Sequence, residues 1–362
     1  MQDTDKRPIL QPASEDRPYL RKLAWTVVAA AAIFVVWRAS DLLLLAFGSV
    51  LGAIMFRSAG RQFEKIGVRN AKVALGLGML VVMAIIGLMF WMLAVEFGTQ
   101  IAGMVSNLPS TLRDIEDAVG TTEVGRSIVS AVEASEGGSR IAQRLGDLLS
   151  GSGVLLLNFV IVIVGAMFIA GSPGTYVRGL VLLVPPPGRP AMERAIRQVS
   201  LALRLWLKAK LITMTAMGVL ISAGLYIAGV PSWAALGLLG GISEFVPYVG
   251  PTVAMVPAIG LAAAAGSDVL LKTLGAFLVV RIIEAYMLTP AVNSTVVSIP
   301  PAMTLFVILG AGAVFGVYGI FFAGALLVVA FVMVRELYLR DTLGEDIEGV
   351  PDSAKIEADK PA

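Results

Sequence analysis

Apolar runs separated by short polar segments make up most of this chain. Leu23–Trp37 and Leu42–Phe56 lie on either side of a polar turn, and each is slightly shorter than the roughly 20 residues that a helix needs to cross a bilayer. The pattern predicts a hairpin of two short spans. Val73–Val95, Val154–Ala170 and Leu211–Ala228 predict a third, a fourth and a fifth span.

The apolar pattern is lost between the third and fourth spans. The segment 97–152 contains seven acidic residues and four arginines, yet Ile101, Met104 and Leu108 fall on one helical face. We predict a small helical extracytoplasmic subdomain over 98–152. It serves either as a structural lid or oligomer contact, or as a site that binds a ligand directly.

A basic helix is predicted before the fifth span. Pro185–Pro190 has the composition of a stiff, non-helical connector. After it, Ile196, Val199 and Leu203 form an apolar helical stripe beside a basic one. The basic residues are Arg194, Arg197, Arg204 and Lys208. Such a helix lies at the cytoplasmic membrane interface, where its cations bind anionic lipids. Alternatively, its arginines move during the working cycle.

One apolar stretch, Val230–Gly266, cannot form a continuous helix. Pro247 and Pro251 each remove a backbone donor and clash with the preceding turn, while Gly250 loosens the backbone between them. Glu244 lies at the start of this break. Transporters often form substrate and ion sites at helix breaks within the membrane. We predict that this break is the functional centre; the alternative is a loop end that leaves Glu244 at the membrane surface.

Two charges interrupt the next apolar segment, Val269–Leu288. Arg281 and Glu284 are three residues apart, so they share a helical face and can form an ion pair. Because the surrounding residues are apolar, we expect both side chains to point into the protein. They form either a static pair that holds helices together or a gate that opens when a proton, ion or solute arrives.

The last apolar run, Met303–Val334, corresponds to about 48 Å of helix, too long for one untilted span. Its glycines allow it to bend or divide. A shift of 70 residues matches five positions of the central stretch to this region. The pairs are Pro231 with Pro301, Leu239 with Leu309, Gly240 with Gly310, Phe245 with Phe315 and Tyr248 with Tyr318. The matches arise by chance or indicate two related broken hairpins that face one another.

Composition indicates a membrane protein and excludes several kinds of chemistry. Of 362 residues, 57% are hydrophobic and 15% are charged, whereas soluble domains average about 25% charged residues. The chain has no Cys and no His, which excludes disulfides, Cys/His metal sites and Ser-His-Asp catalysis. We predict no enzymatic activity, no cofactor and no metal. The net charge of +2 gives no reason to expect a nucleic-acid partner.

Basic residues predict the orientation in the membrane. The segment after the second apolar run carries five cations and a single acid, Glu64, and cytoplasmic loops are rich in Lys and Arg. The cations are Arg57, Arg61, Lys65, Arg69 and Lys72. This segment, the basic stretch Arg17–Lys22 and the C-terminus are therefore expected in the cytoplasm. No small-residue cleavage site follows the first apolar run, so we expect the N-terminal segment to be uncleaved.

Four short motifs stand out: Gly-Val-Pro-Ser-Trp at 229–233, Pro-Tyr-Val-Gly-Pro at 247–251, Ile-Glu-x-Tyr-x-x-x-Pro at 283–290 and Asn-Leu-Pro at 107–109. Together they resemble the autoinducer-2 exporter family, the PerM-type permeases, over residues 20–342.

The resemblance implies about eight spans in the bacterial inner membrane, with both termini cytoplasmic, and a homo-oligomer. It also implies export of small polar solutes such as autoinducer-2-like signals, while some relatives are linked to sodium/proton exchange. Lys208-Ala-Lys210 departs from a Gly-Gln pair that is common in relatives.

The predicted fold is all-α and polytopic, with about eight transmembrane helices and broken or re-entrant segments. The predicted regions are a cytoplasmic tail (1–22), spans one to three (23–97), the extracytoplasmic subdomain (98–152), span four (153–171), a cytoplasmic loop with the basic helix (172–210), the C-terminal core (211–335, with the broken segment 230–266) and a C-terminal tail (336–362).

The predicted function is secondary transport of a small polar solute out of the cell, coupled to H⁺ or Na⁺. The alternatives are a sodium/proton antiporter and a passive channel or membrane scaffold. Membrane lipids are expected partners, and no nucleic acid is expected. The predicted path and coupling residues are Glu244, Pro247, Tyr248, Gly250, Pro251, Arg281 and Glu284. In this prediction the two carboxylates carry or gate the coupling ion, and Arg281 is their counter-charge.

Overall fold

The computed structural model describes residues 39–119, 152–247, 250–288 and 300–345, and for 96–119 it describes the helix without its side chains. All regular structure in these ranges is helical. The helices are α1 (Ser40–Lys65), α2 (Ala71–Val119), α3 (Ser152–Gly171), α4 (Pro173–Leu182), α5 (Arg189–Ala228), α6 (Trp233–Ser243), α7 (Gly250–Ala265), α8 (Ser267–Ile283) and α9 (Pro301–Met333). Two π-helical turns, Glu284–Leu288 and Val334–Arg340, extend α8 and α9. The first predicted span and both predicted tails lie largely or wholly outside these ranges.

Small residues allow the N-terminal helices α1, α2 and α3 to pack closely. Phe56 of α1, Val82 of α2 and Ala166 of α3 belong to one buried cluster. A Cβ added to Gly52 of α1 would lie only 2.8 Å from the Ala166 methyl carbon. Within a bilayer, helix association depends on van der Waals packing, and this close approach provides it.

α2 continues well beyond the predicted third span. It comprises 49 residues, about 73 Å of helix, and it does not break near residue 97, where we expected the subdomain to begin. Its first part, Ala71–Val95, is apolar enough to cross a membrane. Residues 120–151 of the predicted subdomain lie outside the described ranges, so its extent and role stay predictions.

The chain turns sharply after α3, because α3 and α4 meet at an angle of 90°. The predicted connector that follows is only partly correct. Pro186–Gly188 forms a 3-10 turn, and Pro190 already lies in the first turn of α5. The prediction that all of 185–190 is non-helical is wrong, because the first turn of a helix leaves its N–H groups unpaired and therefore tolerates proline.

α5 unites the predicted basic helix and the predicted fifth span. Its 40 residues extend about 60 Å, and no Gly or Pro interrupts it between Ala191 and Met217. The helix therefore continues through residue 210, where we placed a boundary. It ends at Gly229, whose φ of 80° is the left-handed conformation that commonly closes helices.

α6 and α7 form a hairpin whose arms are too short to be two spans. They have 11 and 16 residues, about 16 and 24 Å of helix against a hydrocarbon core of about 30 Å. Leu236 of α6 and Ala258 of α7 join Met217 of α5 and Phe277 of α8 in one buried cluster. Neighbouring helices thus enclose the hairpin, as is typical of a re-entrant segment.

α9 bends sharply at Gly316, where φ is 62° and ψ is −144°, a backbone region used almost only by glycine. Residues eight apart in a straight helix are separated by about 12 Å, yet a Cβ on Gly319 would overlap the Ala311 carbonyl. The predicted bend is therefore confirmed. When the sequence is shifted by 70 residues, the bend in α9 aligns with the central break. This alignment favours the interpretation of two related broken segments.

Several described helices can cross a membrane by length and composition. They are α1, the first part of α2, and α5; Ala302–Arg340 also qualifies if its bend is disregarded. The bent α3–α4 pair is a further candidate. Together with the short α6 and α7, these helices confirm a polytopic all-α membrane protein with broken segments.

Gly250 permits the close contact at which α7 begins. An added Cβ would lie 2.5 Å from the Glu244 Cα and would overlap the Ser243 carbonyl group, so Gly250→Ala should destabilise the hairpin. We expect the free energy of unfolding to fall by about 1–3 kcal/mol, the usual cost of overpacking, in a denaturant titration in detergent micelles. Gly275→Ala in α8 is the control, since no described atom lies within 4 Å of its added Cβ. Equal losses in both variants would contradict this explanation.

Candidate functional site

The predicted helix breakers build the tip of the α6–α7 hairpin. α6 ends at Ser243 because the ring of Pro247 would clash with the carbonyl four positions earlier. The Ser243 hydroxyl lies 3.1 Å from the Gly240 carbonyl oxygen and 2.7 Å from the Gly250 carbonyl oxygen, so it can donate to either side of the break. This bond links the two arms of the hairpin at its tip.

Glu244 is the buried acid at this tip. Only 4% of the residue is exposed, and Lys210 Nζ of α5 donates to its Oε1 at 3.4 Å. Charge-assisted bonds of this kind are usually about 2.7–2.9 Å long. No donor among the described residues reaches its Oε2. The carboxylate therefore retains unused acceptor capacity in apolar surroundings.

Arg281 and Glu284 form the expected ion pair, with Arg281 Nη1 2.9 Å from Glu284 Oε2. Glu284 begins a π-helical turn, a rare backbone form that is frequent at functional sites. The expectation that both side chains point inward is wrong for Arg281, whose side chain is 44% exposed, since a long arginine can extend its charge away from apolar surroundings. Glu284 is within electrostatic range of Lys210 and Glu244, and these two ion pairs are together called the charge network.

Aromatic rings connect the hairpin tip to α9. Phe245 packs edge-on against Trp206 of α5, with ring centroids 5.6 Å apart, and stacks on Phe321 of α9 at 4.4 Å. Phe321 in turn contacts Phe322, which reaches Phe47 of α1. The central break and the C-terminal side of the α9 bend are therefore in contact through aromatic side chains next to Glu244.

The structure brings only some of the predicted path residues together. Pro247 and Gly250 lie at the tip beside Glu244, whereas Tyr248 and the side chain of Pro251 fall outside what the structure describes. The Arg281–Glu284 pair joins the site through its electrostatic interaction with Glu244.

Some cations of the predicted basic stripe of α5 form ion pairs with acidic side chains of the protein. Arg194 Nη2 lies 2.8 Å from Asp341 Oδ1, and Arg197 Nη1 lies 2.8 Å from Glu193 Oε1. Arg204 is half-buried and Lys208 is exposed. Lipid anchoring by this stripe stays a prediction, and Arg194 and Arg197 already form ion pairs within the protein.

The sequence prediction omits Lys210, the ion-pair partner of Glu244. The helical period could have identified Lys210. Leu203, Lys210 and Met217 follow one another at intervals of seven residues, so they share a helical face, and Leu203 and Met217 are buried. Placing residue 210 at the end of an interfacial helix concealed this register. Glu336 is a second omission, because it is 4% exposed and accepts from Arg340 at 3.4 Å.

The arrangement suits the binding of a proton, a cation or a hydroxyl group. Within the described ranges, no three acidic side chains lie close enough together to hold a metal ion. Glu244 has an unengaged oxygen, and the Lys210 ammonium has three donors, of which Glu244 takes one. A cation or hydroxyl group that reached the tip would meet an acceptor on Glu244 and donors on Lys210, and a proton can neutralise the carboxylate and release the lysine.

Removing Lys210 should show how much the stability of the protein depends on the ion pair between Lys210 and Glu244. Lys210→Met leaves Glu244 buried without its counter-charge, and removing one partner of a buried pair costs about 3–5 kcal/mol. Adding Glu244→Gln to Lys210→Met should recover part of that stability, measured as the free energy of unfolding in detergent micelles. Lys272→Met is the control, since its ion pair with Asp268 is exposed on both sides and such a pair contributes about 0–1 kcal/mol. A double variant no more stable than Lys210→Met would show that the two charges are not coupled.

Comparison with known proteins is consistent with this architecture. The model of the AI-2E family transporters matches residues 23–339. A Methanothermobacter thermautotrophicus protein named "Putative transport protein" is 24% identical over 344 residues, covering 90% of this chain and 95% of that protein. "Putative transport protein YueF" of Bacillus subtilis is 23% identical over 265 residues, covering 66% of this chain and 68% of that protein.

A second Bacillus subtilis relative, "Putative transport protein YrrI", is 24% identical over 159 residues, covering 44% of this chain. The match spans 45% of that relative's own length. The family model covers most of the chain, and the relatives carry the same kind of name. The chain therefore belongs to the AI-2E family of membrane transport proteins.

Proposed function

We propose that this membrane transport protein is a secondary transporter that exports a small polar solute, coupled to a proton or cation gradient. Family membership supports transport across a membrane. Export of an autoinducer-2-like solute, the bacterial inner membrane as location, cytoplasmic termini and a homo-oligomeric assembly are parts of the same proposal and rest on the family resemblance. No enzymatic step is assigned to the chain.

The observation that carries the proposal is the state of Glu244. A buried carboxylate with one long bond to Lys210 and one unpaired oxygen is a poor structural ion pair, because each unsatisfied polar atom in an apolar site costs free energy. A coupling site needs a carboxylate that lacks some of its hydrogen-bond partners, because the proton, cation or solute supplies the missing interaction during part of the cycle.

Each charged residue has a role in this proposal. Glu244 carries the coupling proton or cation, and Lys210, rather than Arg281, is its direct counter-charge. Glu284 adds negative potential near both groups, and Arg281 limits that potential through its own bond to Glu284. The solute path passes beside the hairpin tip, where Phe245 and Phe321 provide an apolar wall.

The second candidate is a sodium/proton antiporter that uses the same carboxylate without an organic solute. It requires Na⁺ to displace the Lys210 ammonium from Glu244, because both cations compete for one carboxylate. A sodium-dependent signal that strengthens in Lys210→Met would favour this candidate.

Glu244→Gln should reduce coupled transport at least tenfold, because the amide cannot accept a proton or balance a cation. The assay uses sealed proteoliposomes with a pH-sensitive dye inside, a sodium gradient, and autoinducer-2 as the probe solute. Asp268→Asn is the matched control, since Asp268 is an exposed acid of α8 that pairs with Lys272 away from the network.

The outcomes separate the candidates. Proton movement that requires autoinducer-2 and is lost in Glu244→Gln supports a coupled exporter. Sodium-driven proton movement without solute, lost in the same variant, supports the antiporter. Full flux in folded Glu244→Gln protein would remove Glu244 from the mechanism.

A further inference from the structure

An open cavity of about 210 Å³, whose lining residues other than Gly60 and Leu75 are exposed, lies between α1 and α2, far along the chain from the candidate site. Its lining comes from one face of each helix: Arg57, Gly60, Arg61 and Glu64 of α1, and Ala71 and Leu75 of α2. One water molecule occupies roughly 30 Å³ of liquid volume, so the cavity can hold a group much larger than a water molecule.

The charge of this cavity is incompletely balanced. Arg57 Nε donates to the Ala170 carbonyl of α3 at 3.0 Å, which fixes the guanidinium and leaves its terminal nitrogens as donors. Neither Arg61 nor Glu64 forms an ion pair with any side chain in the described part of the protein. The lining therefore combines two cations with one acid, and Lys72 follows at the start of α2.

The cavity lies at the boundary between apolar and polar parts of the helices. Arg57 is the first charged residue after the apolar run of α1, and the apolar run of α2 begins at Val73. Ile66 and Val73, which are close in sequence to lining residues, have exposed side chains. In a bilayer this is the depth at which phospholipid phosphates lie and at which basic pockets between helices bind anionic headgroups.

We propose that the α1–α2 cavity binds the phosphate of an anionic phospholipid. Arg61 and the terminal nitrogens of Arg57 donate to the phosphate oxygens, a geometry for which the planar guanidinium is well suited. The acyl chains then extend along the exposed apolar side chains near the cavity, and Glu64 weakens binding by repulsion. This site is independent of the proposed coupling at Glu244.

Binding is tested with the purified full-length chain in a nonionic detergent. Bound lipid is counted by native mass spectrometry, and the unfolding midpoint Tm is followed as phosphatidylglycerol or phosphatidylcholine is added. We expect phosphatidylglycerol to bind and to raise the Tm, and phosphatidylcholine to do neither. Inorganic phosphate is added in a third arm to separate a lipid from a soluble phosphate.

Three substitutions at nearby positions are expected to change phosphatidylglycerol binding in different ways. Arg61→Gln should weaken phosphatidylglycerol binding about fivefold, since one basic residue near an anionic surface contributes about that factor. Glu64→Gln should strengthen binding by a similar factor. Arg69→Gln, whose side chain does not line the cavity, is the control and should have a smaller effect than Arg61→Gln.

The results decide between a defined site and general attraction. Opposite shifts for Arg61→Gln and Glu64→Gln, with little change for Arg69→Gln, support the proposal. Equal weakening by Arg61→Gln and Arg69→Gln would overturn it in favour of diffuse surface charge. A Tm rise with inorganic phosphate equal to that with phosphatidylglycerol would overturn the lipid assignment.

Discussion

The C-terminal half of the protein depends on the burial of one carboxylate at the tip of a hairpin whose arms are too short to cross a membrane. A charge removed from water costs several kcal/mol unless it is paired, so Glu244 needs a cation from a helix that passes close to the tip. α5 supplies Lys210 at 3.4 Å. The hairpin must therefore lie against α5 for Glu244 to be paired. A shift of the hairpin or of α5 would leave a buried charge without its partner.

That requirement explains the glycines of α6. A Cβ on Gly237 would overlap the Ser222 hydroxyl of α5, and one on Gly241 would lie 2.7 Å from the Met214 carbonyl oxygen. Helices in a bilayer gain little by exchanging lipid for apolar side chains, so they associate through close packing of backbones. The absence of side chains along this face of α6 brings the hairpin near enough for Lys210 to reach Glu244.

Local patterns predict the break but not its partner. Pro247 and Gly250 identify the end of α6 because proline and glycine act on their own backbone, and the spacing of Arg281 and Glu284 predicts their bond for the same local reason. Lys210 is 34 residues from Glu244, so only tertiary packing reveals the pair. The continuity of α5 was also missed, because an interfacial helix and a span share the same 3.6-residue period, and no breaker separates them.

α5 connects this charge pair to the second bend of the molecule. Trp206 lies one helical turn before Lys210 and contacts Phe245 at the hairpin tip. The same indole packs against Gly324 of α9, where an added Cβ would lie 3.0 Å from its ring. A displacement of α5 that lengthens the Lys210–Glu244 bond therefore also moves Trp206 against α9. In the transport cycle proposed above, protonation or solute binding at Glu244 would therefore be transmitted, through contiguous packed side chains, to the helix that bends at Gly316.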